Sequence, residues 1–439
     1  MSVAQGHRLA RRTLVAMARG EDGAAALREL APVRLSKHLL LLTAVVDQAA
    51  ERGHPEARRA ASALSALHTV RRAAPIAAET VLRNPAVGSW ALTTLHEMIH
   101  GRPDARPGHL AAITAGAAAL GHVPAELELT AGPEGLTIPG LGRAGLPPGP
   151  VTFRANGPGG EPARLSAGRH HVALPPDPYQ DSPHWQGLRR LPLGAPGHRM
   201  NLLADDLDPH RFPGALERLP RLPLAELRTW HERLQAGWLL LSRHHGWAAA
   251  ECAEAFTVLV PLAAPPSGYR SATSRAACGC LAMSAPPGPV QVAEALAHEV
   301  QHVKLAALMD MFDLIERGPA ADGFYAPWRP DPRPAGGLLQ GAYAHLGIAR
   351  FWRRQRELER DPGAAFDAHA GYARWRDAAA EVSEVLLGSG RLTAVGTEFV
   401  SEMRAVLDSW RDDPVPADAL RHARRTASRH RARWLSKHA

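Results

Sequence analysis

The sequence predicts an α+β fold that is mainly α-helical, with an N-terminal helical bundle, a loop-rich β insertion and a metal-binding core. Helical periodicity runs over roughly the first 130 residues and returns after residue 222. Between these regions, glycine and proline are dense and short β-type runs replace the helical pattern. Further along, a His-Glu-x-x-His motif lies on a long predicted helix and follows a predicted strand.

Length and composition exclude several classes of protein. The chain has 439 residues, of which 45% are hydrophobic, so it can bury a substantial core and is not disordered throughout. No apolar run approaches the roughly 20 residues of a membrane span, and no membrane partner is expected. Three cysteines cannot form a disulfide framework, which predicts a cytoplasmic protein.

The net charge of +8 is concentrated at the C-terminus. Residues 417–439 contain seven Lys or Arg and one acidic residue, so they supply +6 of the total. This predicts a basic tail on a nearly neutral body. Nucleic-acid binding is not expected, because no aromatic or base-reading groups accompany the tail.

We divide the chain into an N-terminal helical region (1–130), the β insertion (131–221), the metal-binding core with C-terminal helices (222–416) and the basic tail (417–439). Apolar stripes predict N-terminal helices at 35–50, 55–73, 88–100 and 110–120. Short β-type runs predict insertion strands at 151–154, 171–174, 189–193 and 200–203. In the core, strands are predicted at 257–262 and 278–284, and helices at 224–243, 290–315, 338–356, 364–387 and 392–411.

The His-Glu-x-x-His motif occurs twice, from His96 to His100 and from His298 to His302. On a helix its two histidines lie one turn apart on one face, so they can bind the same metal ion. The first match is followed at once by Gly-Arg-Pro at residues 101–103, which predicts that the helix ends at its second histidine. No predicted strand precedes it, and we interpret it as part of a bundle helix.

The second match has the surroundings of a metal site. The predicted strand at 278–284 precedes it across a proline-rich turn, and the helix is predicted to continue about three turns beyond His302. In zincin-like folds an edge strand beside the motif helix pairs with an extended peptide, and we expect residues 278–284 to be that edge strand. His298 and His302 are therefore the predicted metal ligands, and Glu299 is the predicted catalytic residue.

A catalytic metal site needs a third protein ligand. The compact pattern, with a histidine six residues after the second one, is excluded because that residue is Leu308. His345, on the next long helix, is the preferred candidate. Asp331, Gln340 and Asp322 stay open as alternatives.

The loop between the two helices is rigid and basic. Three prolines follow Trp328 and stiffen the backbone around Arg329 and Arg333. Arginine binds a carboxylate through two parallel hydrogen bonds, so we expect these arginines to hold a carboxylate near the metal. Asp331 is expected to orient one of them.

Three blocks of sequence resemble a known family. They are Ser271-Ala-Thr-Ser-Arg275 with the strand after it, Leu296-Ala-His-Glu-Val-Gln-His-Val-Lys-Leu305, and Tyr325-Ala-Pro-Trp-Arg-Pro-Asp-Pro-Arg-Pro334 running into Leu338-Leu-Gln-Gly-Ala-Tyr-Ala-His345. Through them the chain resembles the HExxH-motif peptide-modification proteins found beside the clusters of ribosomally synthesised peptides. Weaker similarity extends over most of the chain, including residues 206–209, but not over the tail.

The resemblance implies a reaction. Some relatives are iron(II)- and 2-oxoglutarate-dependent oxygenases that hydroxylate a side-chain β-carbon of a precursor peptide. It therefore implies Fe(II) and 2-oxoglutarate as cofactors, with Arg329 or Arg333 on the far carboxylate of 2-oxoglutarate. The implied partners are a precursor peptide and other peptide-modifying enzymes. The expected substrate-binding residues are Ser271, Thr273, Tyr325, Trp328, Asp331 and Gln340.

Two other functions stay open. In a zinc-dependent metallopeptidase, Glu299 would be the general base that activates a zinc-bound water, although no glutamate is well placed as the third zinc ligand. In a non-catalytic protein, the same fold would only bind a peptide or a partner enzyme. The intact His298, Glu299 and His302 argue against that function. A third histidine ligand would depart from the two-histidine, one-carboxylate set of common oxygenases.

Overall fold

A computed structural model describes residues 6–285, 288–318 and 323–438, and these form thirteen α-helices and three small sheets. The predicted α+β, mainly helical class is confirmed. No helix in these ranges is long and apolar enough to cross a membrane. All three cysteines are free thiols in buried positions.

The N-terminal region is helical up to Gly121. Its helices are α1 (Arg11–Ala18), α2 (Gly23–Glu51), α3 (Ala57–Ala73), α4 (Pro75–Leu82), α5 (Pro85–Ile99) and α6 (Leu110–Gly121). The four predicted helices correspond to α2, α3, α5 and α6, whereas α1 and α4 are short and were not predicted. Helix α5 begins where the Asn84 side chain accepts a hydrogen bond from the Ala86 amide, and it ends at the C-cap His100, as predicted.

Nine strands follow, and they belong to all three sheets. They are β1 (Ala125–Ala131), β2 (Leu136–Ile138), β3 (Gly142–Ala144), β4 (Gly149–Ala155), β5 (Arg164–Ala167), β6 (His170–Ala173), β7 (Trp185–Gly187), β8 (Arg189–Ala195) and β9 (His198–Ala204). The four predicted strands are β4, β6, β8 and β9. One sheet has the order β1-β4-β5-β6 and another the order β2-β3-β7.

The third sheet carries the candidate site. Its order is β11-β12-β10-β9-β8, with β10 (Val258–Pro261), β11 (Ser271–Ala272) and β12 (Cys280–Met283). Strands β8 and β9, from the region predicted as an insertion, thus complete the sheet of the core. Strand β12 begins two residues later than predicted because Gly279, at φ 96°, forms a left-handed turn before it.

The predicted edge position of residues 278–284 is wrong. Strand β12 pairs with β10 on one side and with β11 on the other, so β11 is the edge strand. The pairing with β11 joins only Ser271 to Met283 and Ala272 to Ala282. A strand of two residues has no periodicity of its own, so its place in the sheet was not readable from the sequence.

The remaining helices pack around this sheet and against one another. They are α7 (Leu224–His244), α8 (Gly246–Ala255), α9 (Pro289–Met309), α10 (Ala335–Gln355), α11 (Pro362–Gly388), α12 (Ala394–Ser409) and α13 (Ala417–His438). Helix α9 carries the second motif and buries Leu296 and Val300 against Leu281 and Met283 of β12.

Helix α9 ends at Met309, about two turns beyond His302, rather than near residue 315 as predicted. The backbone of the following segment has other partners. The carbonyl of the buried Leu314 accepts a hydrogen bond from the Thr393 amide, and Ile315 forms a β-bridge with Leu392. This extended pairing outweighs the local helical tendency.

The N-terminal helices also complete the core of the C-terminal half. Met17 of α1 and Leu30 of α2 share one hydrophobic cluster with Leu305 and Leu407. The Tyr343 hydroxyl donates a 2.6 Å hydrogen bond to the Met17 carbonyl. Segments far apart in sequence therefore depend on each other for burial.

Candidate metal centre

Helix α9 presents His298, Glu299 and His302 to a cleft of about 600 Å³. The Nε2 atoms of the two histidines lie 3.2 Å apart. Their nitrogens and the Glu299 carboxylate form the one group of three metal-binding side chains found among the described residues, with ligand atoms within 4.8 Å of one another. The i, i+4 spacing on a regular helix produces this convergence.

Gln340 of α10 orients His302. Its Oε1 lies 3.0 Å from His302 Nδ1, and its amide nitrogen lies 3.5 Å from the sulfur of Met309. Because the nitrogen donates to the sulfur, the amide oxygen is the atom that faces His302. A neutral His302 then donates from Nδ1 and keeps a free lone pair on Nε2, towards His298. Outer hydrogen bonds of this kind fix the tautomer of metal-binding histidines.

His298 is held neutral by its surroundings. Burial lowers the pKa of His298 to about 4, so the ring is uncharged near neutral pH. Its Nδ1 is buried and has no hydrogen-bond partner within the described ranges. An uncharged imidazole is the form that binds a metal ion.

Glu299 is tied to the edge strand. Ser271 donates a 2.7 Å hydrogen bond to one carboxylate oxygen and Thr273 a 3.0 Å hydrogen bond to the other. Glu299 is 2% exposed, so these hydroxyls fix its carboxylate beside the two histidines. The predicted substrate-binding residues Ser271 and Thr273 line the cleft and use their hydroxyls on Glu299.

His345 lies beside His298, with ring centroids 5.6 Å apart. Its Nδ1 donates a 2.7 Å hydrogen bond to the Gly341 carbonyl, which leaves Nε2 as the free nitrogen. Burial and then the neighbouring His298 lower the pKa of His345 well below its usual value, so this ring is neutral too. It is not a member of the compact group on α9.

Trp328 supports His345 from the loop. The two rings stack with centroids 4.3 Å apart and planes 16° from parallel. The indole lies so close to α10 that a Cβ on Gly341 would be 2.4 Å from it. Trp328 is not among the residues that line the cleft, so the structure shows its packing role, and its substrate-binding role stays a prediction.

Arg329 and Arg333 line the same cleft as the histidines, from the loop that precedes α10. Asp331 contacts both, at 3.0 Å from Arg329 Nε and 3.3 Å from Arg333 Nη1, so it orients two arginines rather than one. The loop is closed by two backbone hydrogen bonds between Phe324 and Arg333, of 2.8 and 2.9 Å. This closure, together with the prolines, fixes the position of the guanidinium groups.

Tyr325, another predicted substrate-binding residue, does not line this cleft. Its hydroxyl lies 2.9 Å from His430 Nδ1, and its ring packs edge-on against Trp434, both on α13. It lines a separate pocket of about 400 Å³ between α11 and α13. The basic tail is thus a helix docked on the loop, a contact that no residue pattern had indicated.

Three more residues were candidates for the third ligand. Gln340 is engaged with His302, and Asp331 is engaged with two arginines. Asp322 lies outside the described residues. At the first motif, His96 and His100 are exposed at the end of α5, and no third metal-binding group accompanies them among the described residues.

The back of α9 carries a buried ion pair that no sequence pattern had indicated. Lys304 Nζ lies 2.8 Å from a Glu251 oxygen, with side chains 0% and 3% exposed. Gln301 donates a 3.2 Å hydrogen bond to the other oxygen of Glu251. Burial lowers the pKa of Lys304, but Glu251 and Tyr343 outweigh it and leave this pKa above its ordinary value. Only the exceptional burial of a charged residue would have revealed the pair, and burial is not visible in the sequence.

Asp205 and Asp208 form a second unpredicted feature, directly after β9. Burial raises the pKa of Asp205 to about 7 and that of Asp208 to about 6. One oxygen of Asp205 accepts hydrogen bonds from the Leu207 and Asp208 amides. The other oxygen of Asp205, and Oδ2 of Asp208, have no partner in the described part of the chain.

Comparisons of the sequence with models of known protein families and with curated proteins found no match.

Proposed function

We propose that this protein is an iron(II)- and 2-oxoglutarate-dependent oxygenase that hydroxylates a side chain, at the β-carbon, of a ribosomally synthesised precursor peptide. The observation that carries the proposal is a single cleft that is lined both by the histidine pair and by Arg329 and Arg333. The family resemblance of these same blocks supplies the reaction. We place the reaction in the cytoplasm, with which three free thiols are consistent.

The residues fit a metal ion. Nitrogens 3.2 Å apart can both lie about 2.1 Å from one ion, and His298 and His302 are oriented towards each other. His345, neutral and with Nε2 free, is our proposed third ligand. When bound, iron(II) and 2-oxoglutarate supply the oxidising chemistry, in which O₂ oxidises a peptide C–H bond and 2-oxoglutarate is converted to succinate and CO₂.

The arginines fit a dicarboxylate. Among the described residues, Asp331 is the one ion-pair partner of the two guanidinium groups, so these three side chains together keep an excess positive charge. A carboxylate from the cosubstrate can bind there through paired hydrogen bonds, since Arg329 and Arg333 are half-buried or exposed. These arginines would hold the far end of 2-oxoglutarate while the histidines hold the metal.

The peptide is proposed to bind along β11, in a zincin-like arrangement of edge strand and motif helix. Within the described residues no further strand pairs with the outer side of β11. The backbone of β11 can therefore form hydrogen bonds with an extended peptide as an additional strand. Ser271 and Thr273 belong to this strand segment and hold Glu299. Glu299 therefore fixes the distance between the bound peptide and the histidine pair, as a positioning group.

The decisive experiment is mass spectrometry of the cognate precursor peptide after incubation with iron(II), 2-oxoglutarate and O₂. A gain of one oxygen atom that depends on all three supports the proposal. Peptide cleavage with zinc and without cosubstrate would instead show a metallopeptidase. A protein that binds the peptide but changes it under neither condition would be non-catalytic.

Metal uptake tests the site itself. Replacing His298 and His302 by Ala should abolish binding of iron(II) added without oxygen, because both nitrogens face one position. The matched control replaces His96 and His100, which share the spacing but are exposed at a helix end. Loss of metal in the control variant and retention in the first would overturn the assignment.

Cosubstrate affinity tests the two arginines. Replacing Arg329 and Arg333 by Ala should weaken 2-oxoglutarate binding at least about tenfold per lost bidentate contact, measured by titration of the metal-loaded protein. Lysine at either position should restore binding only in part, since it lacks the planar pair of donors. Unchanged affinity in the double alanine variant would refute this role.

One observation favours the metallopeptidase as a second candidate, namely the Glu299 carboxylate beside the two histidines. Replacement of Glu299 by Gln separates the two functions. It should eliminate hydrolysis if Glu299 is a general base, because the amide cannot accept the proton. It should only weaken oxidation if Glu299 is a positioning group held by Ser271 and Thr273.

A further inference from the structure

The exposed side of α13 carries a continuous ridge of positive charge. Five basic side chains follow one another at four-residue spacing, so each is a neighbour of the next on the helix surface. All of them are exposed. With a rise of 1.5 Å per residue, the ridge is about 24 Å long. Its members, which we call the basic ridge, are Arg421, Arg425, Arg429, Arg433 and Lys437.

The basic ridge has no counter-ions within the described part of the chain. None of its members forms an ion pair there, and Asp418 is the single acidic residue of α13. In contrast, Arg431 on the flank of the same helix pairs with Glu381 and lies over the ring of Tyr325. Like charges at i, i+4 destabilise a helix, so the ridge lowers the stability of α13 unless a bound anionic ligand compensates for the repulsion.

Contacts of α13 with the loop before α10 hold the ridge close to that loop. Ala419 and Ala423 are buried, and His430 and Trp434 pack on Tyr325. At its end, His438 Nε2 lies 2.9 Å from the Pro330 carbonyl. Pro330 adjoins Arg329, which lines the cleft, so Lys437 at the end of the ridge lies near the loop that lines the candidate site.

We propose that the basic ridge binds an acidic segment of the peptide substrate. This rests on the proposed function, because it assumes that the ligand of the cleft is a peptide. An extended chain spans about 3.3 Å per residue, so a ridge of about 24 Å accommodates roughly seven residues. Asp or Glu at alternate positions of such a segment would point towards the arginines on the same side.

Two observations favour a peptide over a nucleic acid. Trp434 is the single aromatic residue of α13 apart from its histidines, and its ring packs on Tyr325, so it does not offer a base-stacking surface. In addition, the edge strand β11 has only two residues and can supply few backbone hydrogen bonds. A peptide held at β11 needs a second anchor, and the ridge lies close to the loop that lines the same cleft.

The test measures fluorescence anisotropy of a fluorescein-labelled octaglutamate with the full chain, without metal or cosubstrate. The test variant replaces three ridge arginines by Gln, a good helix former that removes the charge. The control variant replaces three arginines of α3, which also lack ion-pair partners in the described residues. The test set is Arg425, Arg429 and Arg433; the control set is Arg58, Arg71 and Arg72.

We expect the test variant to weaken octaglutamate binding about tenfold at low salt and the control variant to change it less than about twofold. An octaglutamine peptide should not bind to either. Equal weakening in both variants, or none in the test variant, overturns the proposal. Tighter binding of an eight-nucleotide single-stranded DNA than of octaglutamate, lost in the same variant, would assign the ridge to nucleic acid instead.

Binding and turnover separate this proposal from the proposed function. If octaglutamate binds at the ridge but the cognate peptide is never oxidised, the ridge proposal holds and the oxygenase proposal is rejected. If the cognate peptide is oxidised and the three ridge substitutions leave the KM for the peptide unchanged, the oxygenase proposal holds and the ridge proposal is rejected.

Discussion

Replacing Lys304 by Met should strongly destabilise α9. Lys304 and Glu251 are 2.8 Å apart and almost fully buried. At an effective dielectric constant of about 20, Coulomb's law gives an attraction of roughly 6 kcal/mol at this distance. Methionine keeps the length of the side chain but leaves the Glu251 charge with a hydrogen bond from the Gln301 amide and the more distant charge of Arg350. Since removal of one partner of a buried pair costs about 3–5 kcal/mol, we expect a loss in this range.

Hydrogen exchange of the backbone amides of α9 measures this loss locally, without assuming two-state unfolding of the whole chain. A loss of about 3–5 kcal/mol corresponds to exchange that is roughly 10² to 5 × 10³ times faster. The matched control is Lys37→Met. Lys37 also forms an ion pair, with Asp310, but it is 22% exposed and Asp310 keeps a second partner in Arg275.

A second variant separates charge from packing. In Lys304→Met combined with Glu251→Gln, no unpaired charge remains, and most of the lost stability should return. If the double variant is as unstable as the single one, the loss comes from packing and the electrostatic argument fails. It also fails if Lys304→Met accelerates exchange no more than Lys37→Met does.

Two further predictions concern groups outside the ion pair. The pKa of Asp205 is raised to about 7 in the folded protein, against about 4 in an unfolded chain. Ionisation of Asp205 therefore destabilises the fold as the pH rises from about 4 to about 7. The loss of unfolding free energy is at most about 1.4 kcal/mol per pH unit. The variant Asp205→Asn removes this loss. In urea unfolding at pH 5 to 8, its stability advantage over the wild type should grow up to about pH 7 and level off above it. A pH-independent difference would contradict the prediction. Gly341→Ala should destabilise the protein and weaken metal binding about tenfold, because the new Cβ would displace Trp328 from His345. The control is Gly336→Ala on the same helix, where the new Cβ would meet no neighbouring atom, and it should stabilise the protein by up to about 1 kcal/mol. The same gain for Gly341→Ala would show that Trp328 can move aside without a loss of stability.

The features that the sequence predicted correctly are those with a local signal. The long helices have apolar stripes, and the Gly-Arg-Pro after the first motif marks the end of α5 at His100. The second motif was preferred because its helix and the strand before it are both long enough to be recognised, and its function as a metal site stays a prediction. Local patterns of this kind depend on neighbours within a few residues, which the sequence displays directly.

The features that were missed depend on distant partners. Strand β11 is recognisable only through its pairing with β12, and the early end of α9 only through the bonds of Leu314 with Thr393. The contact of Tyr325 with α13 joins residues more than a hundred positions apart. Burial of Lys304 is likewise a property of the assembled helices, since its neighbours in sequence resemble those of any helical lysine.

The placement of α1 and α2 within the C-terminal core has a consequence during synthesis. Met17 and Leu30 are buried against residues as distant as Leu407. Ribosomes add about 5–20 residues per second, so roughly 20–80 s separate the emergence of Met17 from that of Leu407. Throughout this interval the apolar sides of both helices lack their final partners. The growing chain therefore exposes apolar surface of the kind that chaperones of nascent polypeptides bind, and we expect overproduction without them to favour inclusion bodies.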